Sequence, residues 1–160
     1  MAYHDDLLKQ ALLLVHNEPK NPKQASLRRS VSTAYYGLFH FLIQEIVANW
    51  SKLSSRPKLA RAFDHKTMKA AANRVCNGRE FPFVGENPNV VSSLRMVAQT
   101  FVRLQDKRHI ADYDNSTSWT RTQAVREVNA AEQAFRIWKS IRNEQIAQDF
   151  LVSIFVKHRD

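Results

Sequence analysis

The sequence predicts an all-α protein, an antiparallel bundle of four or five helices with a long C-terminal helix. Three observations lead there. Apolar residues recur at three- and four-residue steps in one segment after another. Glycine is scarce, three in 160 residues against an average near 7%, whereas sheet proteins need it for tight turns. Helix start signals stand where the periodic segments begin: Asn21-Pro22, Ser54-Ser55-Arg56-Pro57, and Thr120 with Gln123.

The first helix is expected from about Asp5 to His16, with Leu7, Leu8, Ala11, Leu12 and Val15 on one side. Pro19 and Pro22 break the pattern, and Asn21 reads as the N-cap of the next helix with Pro22 in its first turn. That helix runs to about Trp50 and is apolar around much of its circumference, which predicts the central position in the bundle. A basic helix follows from Ser54-Ser55-Arg56-Pro57 to about Cys76, with Leu59, Ala62, Phe63, Met68 and Ala71 on its apolar side. Asn77 to Pro88 holds two glycines and two prolines and is the expected irregular loop. Val90 to about Ile110 is again helical, and the polar stretch Asp112 to Ser118 separates it from the last segment. Thr120 and Gln123 form a capping box there. The helix it opens extends to Phe155, and it either protrudes or breaks near Arg142-Asn143-Glu144.

Composition excludes several function classes. One domain is the natural reading of this length. Cys76 is the single cysteine, so no disulfide framework forms within the chain. Gly37, Gly78 and Gly85 lie too far apart for a dinucleotide fingerprint or a P-loop. Apolar runs are far shorter than the ~20 residues of a membrane span. The opening MAYHDDLLKQ carries acids where a secretory signal carries bases, so a cytoplasmic setting is expected. The six histidines are scattered without a zinc-site pattern, so neither a metal nor another cofactor is expected.

The net charge of +9 points to a polyanionic partner, RNA or another polyanion. Ser54 to Arg79 carries seven bases and one acid, and thus most of that excess. Arg56, Lys58, Arg61, His65, Lys66, Lys69 and Arg74 are the candidate RNA-binding residues, their charges neutralising backbone phosphates. His65 stands four residues after Arg61, a spacing that places a cation beside it on a helix and favours the neutral, proton-accepting imidazole. Arg29, Thr33, Tyr36 and His40 form a polar stripe on the central helix, read as a hydrogen-bonded seam. The segment Arg103 to Asp114 concentrates three bases, three acids, His109 and Tyr113 at a helix end. There Arg108 and Asp112, and His109 and Tyr113, are four apart and expected to meet.

Ala25-Ser-Leu-Arg-Arg-Ser-Val-Ser-Thr-Ala-Tyr-Tyr-Gly-Leu-Phe-His40, followed by Arg108-His-Ile-Ala-Asp-Tyr-Asp114, resembles the HEPN-domain family. The resemblance covers most of the chain. It implies a helical bundle that forms a homodimer, and a metal-independent endoribonuclease of a toxin–antitoxin or antiphage system. An antitoxin or a nucleotidyltransferase is the partner protein it suggests. The family's catalytic arginine and histidine have four to six residues between them, which Arg103 and His109 satisfy with five, and Arg108 and Tyr113 lie beside them. His109 would then act as acid or base, and Arg103 or Arg108 would stabilise the charged transition state. Leu104 departs from the polar residue usual after that arginine. Aligning Tyr113 with the family tyrosine instead puts Ala111 at the histidine position. That alignment implies a non-catalytic module binding RNA, a nucleotide or a protein.

Overall fold

A computed structural model describes residues 2–78 and 85–156, so Arg79 and half of the expected 77–88 loop lie outside the described residues. Seven α-helices are present among them: α1 (Tyr3–Val15), α2 (Gln24–Ala48), α3 (Arg56–Ala60), α4 (His65–Asn77), α5 (Pro88–Tyr113), α6 (Arg121–Ile141) and α7 (Gln145–Phe155). No strand occurs there, and none of these helices is long and apolar enough to cross a membrane. The fold is the all-α bundle that helical periodicity predicts.

Helix α2 occupies the centre. Fifteen of its 25 residues are buried, spread around the cylinder, and it packs against α1, α5, α6, α3 and α7. Its partner α1 comes close at Gly37, where a β-carbon would sit 3.3 Å from Leu8 Cδ2. Helix α5 bridges the layers, touching α2, α6, α4 and α7, and α4 lies against α5 and α7.

Two boundaries differ from expectation, each for a local reason. Asn21 does not cap α2; Lys23 holds that position without a side-chain bond. Glu18 instead reaches across the turn, accepting from the Lys23 backbone N–H at 3.3 Å and the Ser26 hydroxyl at 2.9 Å. A carboxylate suits the positive end of the helix dipole. The basic helix is divided into a 3-10 turn at Leu53–Ser55, the five-residue α3 and then α4. Asp64 causes the break, because its carboxylate accepts from the backbone N–H and the hydroxyl of Thr67, both at 2.8 Å, and so starts a new helix. The long final helix breaks across Arg142-Asn143-Glu144, one of the two outcomes expected there: α6 ends at Ile141 and α7 starts at Gln145. The capping box opens α6, with Thr120 and Gln123 bonding each other's backbone. Helix α5 outruns its expected span at both ends, from the Asn87 cap to Tyr113.

Polar side chains near the start of α2 tie the connections down. Arg28 donates to the carbonyls of Ala111 at 3.0 Å, Asp114 at 2.9 Å and Thr117 at 2.5 Å. Gln24 pairs both ways with the Trp119 backbone, at 2.8 Å in each direction. Further along, Glu45 accepts from Trp138 Nε1 at 2.7 Å and from Arg142 at 3.1 Å.

Arg28→Ala leaves three carbonyls at the α5–α6 connection without this donor. Hydrogen bonds from a charged group contribute ~1.5–3 kcal/mol each at most and overlap here, so a loss of ~2–4 kcal/mol is expected. In a thermal melt that is a drop of about 5–10 °C, with faster amide exchange at 114–119. An unchanged melting temperature would show that the fork contributes nothing.

Candidate functional site

Because α5 runs unbroken through Tyr113, its side chains fan out by about 100° per residue. Arg103 and His109 therefore point about 120° apart, and they meet different neighbours. Arg103 pairs at 3.0 Å with Glu127, a buried acid on α6. Arg108 turns toward α2. His109 is exposed and lies against Tyr113, their ring centroids 5.0 Å apart, as the four-residue spacing predicts. Tyr113 itself is exposed. Within one chain, Arg103, Arg108 and His109 share no site.

The basic stretch divides into structural and free charges. Arg56 donates to the Trp50 and Ala48 carbonyls at 2.9 and 3.0 Å, closing the C-terminal end of α2. Lys69 pairs with Asp106 of α5, and Arg74 reaches the Ser153 carbonyl at 3.3 Å. Lys58, Arg61 and Lys66 are exposed, and their side chains have no hydrogen bond or ion pair among the described residues. Arg61 ends α3 while His65 begins α4, so the four-residue spacing does not bring them together on one helix face.

The cation beside His65 is Arg108. Both side chains rest on the same two tyrosines of α2. The Arg108 guanidinium stands 5.3 Å from the Tyr35 ring centre and 5.8 Å from that of Tyr36, within cation–π range. His65 lies 5.6 and 5.7 Å from those rings and packs against Phe39 at 4.2 Å, the two rings tilted by 32°. Burial lowers the His65 pKa below the ordinary 6.5, and Arg108 lowers it further against the opposing pull of Asp64. The imidazole is neutral near pH 7.

Which nitrogen carries its proton follows from hydrogen-bond balance. Tyr35 is fully buried, and its hydroxyl lies 2.7 Å from His65 Nδ1, its one partner among the described residues. Burial pushes the Tyr35 pKa well upward, so the hydroxyl keeps its proton. Were Nδ1 the donor, that buried O–H would have no acceptor. The hydroxyl therefore donates, Nδ1 accepts, and the proton of the neutral ring sits on Nε2. This turns the sequence expectation around: His65 presents a donor, not the free lone pair of a base.

Arg108 is poorly satisfied. Its side chain is only 14% exposed, its Nε is buried without a partner, and Nη1 meets the Tyr36 hydroxyl at a long 3.4 Å. Asp112, the expected partner one turn on, stands 3.7 Å away and accepts from Ser32 at 3.2 Å. In the polar stripe, Thr33 is buried and Arg29 exposed, while Tyr36 and His40 are half-buried. Tyr3 and Phe39 pack edge-on against His40.

Sequence reasoning named Arg108, Asp112, Tyr36 and His65 but missed Tyr35 as the group that orients His65. Its apolar neighbours Ala34, Leu38 and Phe39 read as plain core. Among the described residues no group of three histidine, cysteine, aspartate or glutamate side chains is placed to hold a metal. An apolar groove lies about three turns further along α2, lined by Ile46, Trp50, Leu59, Val152 and Phe155 and by no basic side chain. Comparison with protein-family models, curated proteins and solved structures finds no match in any of the three.

Burial lowers the pKa of His4 and of His40 as well as that of His65. Each binds a proton more readily when unfolded, so stability rises with pH through the histidine range. It is held above about 6.5 and lost as pH falls through the lower folded values. Melts at pH 5 should lie below those at pH 7.5, and the His65 carbon-bound protons should titrate below 6.5. A pH-independent melt would contradict this.

Proposed function

We propose that the chain is a HEPN-like domain that binds RNA through the basic segment of α3 and the start of α4. Lys58, Arg61 and Lys66 carry this reading, three exposed cations that no hydrogen bond or ion pair among the described residues engages. Charges in that state exchange mobile counterions for phosphates at little structural cost. The fold agrees with the resemblance in being an all-α bundle. In this reading the domain works in the cytoplasm of a toxin–antitoxin or antiphage system. It pairs as a homodimer, with an antitoxin or a nucleotidyltransferase as its protein partner.

Binding is favoured over metal-independent cleavage by the side-chain directions on α5. Arg103 is held by Glu127, and His109 points elsewhere, beside Tyr113. The acid or base and the cation that stabilises the transition-state charge must reach one reacting phosphate together, and His109 and Arg103 do not within a chain. His65 offers an N–H to a phosphate oxygen and no vacant lone pair to a ribose hydroxyl.

Fluorescence anisotropy with a short single-stranded RNA tests the reading. Affinity should fall steeply between ~50 and ~200 mM salt, and the Lys58→Ala, Arg61→Ala, Lys66→Ala triple variant should flatten the log–log slope by about 2. The RNA should remain intact in EDTA. Salt-independent affinity, or a triple variant that binds as the parent does, would overturn the RNA reading. Cleavage abolished by His109→Ala would overturn the preference for binding.

A further inference from the structure

The Arg108 guanidinium is nearly buried, yet its surroundings use few of its five N–H donors. One meets a tyrosine hydroxyl at 3.4 Å, a carboxylate stands at 3.7 Å, and Nε has no partner among the described residues. Two aromatic faces hold the plane of charge without consuming its hydrogens. A buried cation in that state lacks the hydrogen bonds that would offset its desolvation. Beside it stands the His65 ring, whose Nδ1 is engaged by Tyr35 and whose Nε2–H is left as a further donor. Both rest on the same pair of rings, and Tyr36 adds a hydroxyl at the half-buried edge. Donors thus outnumber acceptors, and the acceptor at hand is the loosely held Asp112.

We propose that Arg108, His65 Nε2–H and the Tyr36 hydroxyl form a receptor for one tetrahedral phosphate group, with Asp112 as the internal counter-ion that the phosphate displaces. Guanidinium matches phosphate because its paired N–H groups fit two oxygens at once. The Tyr35 hydroxyl is a positioning group: it touches no phosphate and holds the imidazole in the donating tautomer. Lys58, Arg61 and Lys66 would draw the polyanion in, while this cluster grips one phosphate. Only the source of that phosphate, an RNA phosphodiester or a terminal phosphate monoester, rests on the RNA reading.

The test follows His65 by NMR in the full chain during titration with inorganic phosphate, the dinucleotide UpU, and an RNA bearing a 5′-phosphate. Phosphate should move the His65 signals saturably. Arg108→Lys, which keeps the charge and loses the fork, should weaken phosphate about ten-fold. Asp112→Asn, which removes the competitor, should tighten it severalfold, a change of sign that a purely structural role of the pair does not produce. Perturbation by UpU identifies the diester as ligand; perturbation by phosphate and 5′-phosphorylated RNA alone identifies the monoester. Salt-dependent RNA binding with a silent His65 overturns the receptor and leaves the RNA reading standing. A responsive His65 without RNA binding does the reverse. Equal effects of the two substitutions in the same direction would also overturn the receptor.

Discussion

Burial of α2 on nearly all sides is the constraint from which the rest of this structure follows. A helix in that position satisfies its own backbone, but every polar side chain it carries must find a partner in the neighbouring helices or keep an edge in water. Gln24 and Arg28 do so by holding the α5–α6 connection, and Ser30 by donating to the Ala11 carbonyl of α1 at 2.8 Å. Glu45 does so by taking the indole N–H of Trp138 and the guanidinium of Arg142. The central helix therefore specifies the arrangement of its neighbours through polar contacts as well as through apolar packing.

Tyr35 is where this structural demand reaches candidate chemistry. Its buried hydroxyl needs an acceptor, the acceptor is His65 at the first turn of α4, and the bond sets the tautomer of a ring that keeps an open edge. Arg108 enters the same space from α5 and finds aromatic faces in place of a close carboxylate. Nothing in the fold needs a cation to be left in that condition. Arg103, on the same helix, shows the alternative, a close pair with Glu127. The two arginines differ in this: Arg103 is closed by its carboxylate at 3.0 Å, and the carboxylate nearest Arg108 stands at 3.7 Å.

Local patterns in the sequence carried much of this architecture. The Thr120–Gln123 capping box, the interruption near Asn143, and the Arg108–Asp112 and His109–Tyr113 neighbours all depend on residues a few positions apart. Signals of equal range were outcompeted elsewhere. Asn21-Pro22 has the form of a helix start, but the Glu18 carboxylate offers a stronger acceptor at the positive end of the dipole. Asp64 and Thr67 hold a capping spacing that apolar periodicity through the basic stretch concealed. The site was legible only in pieces, because Tyr35 and His65 are 30 residues apart and Tyr36 and Arg108 are 72 apart. No helical period relates residues at such distances; the packing of α4 and α5 on α2 does.

The donor role of His65 depends on which of its nitrogens bears the proton. Long-range ¹⁵N–¹H correlation spectra of the neutral ring at pH 7.5 report this without ligand or substitution. A protonated Nε2 and an unprotonated Nδ1 that accepts from Tyr35 are expected, with the preference weakened in Tyr35→Phe. A proton on Nδ1 would mean that the buried hydroxyl accepts rather than donates, that Nε2 carries a free lone pair, and that His65 is no donor to phosphate.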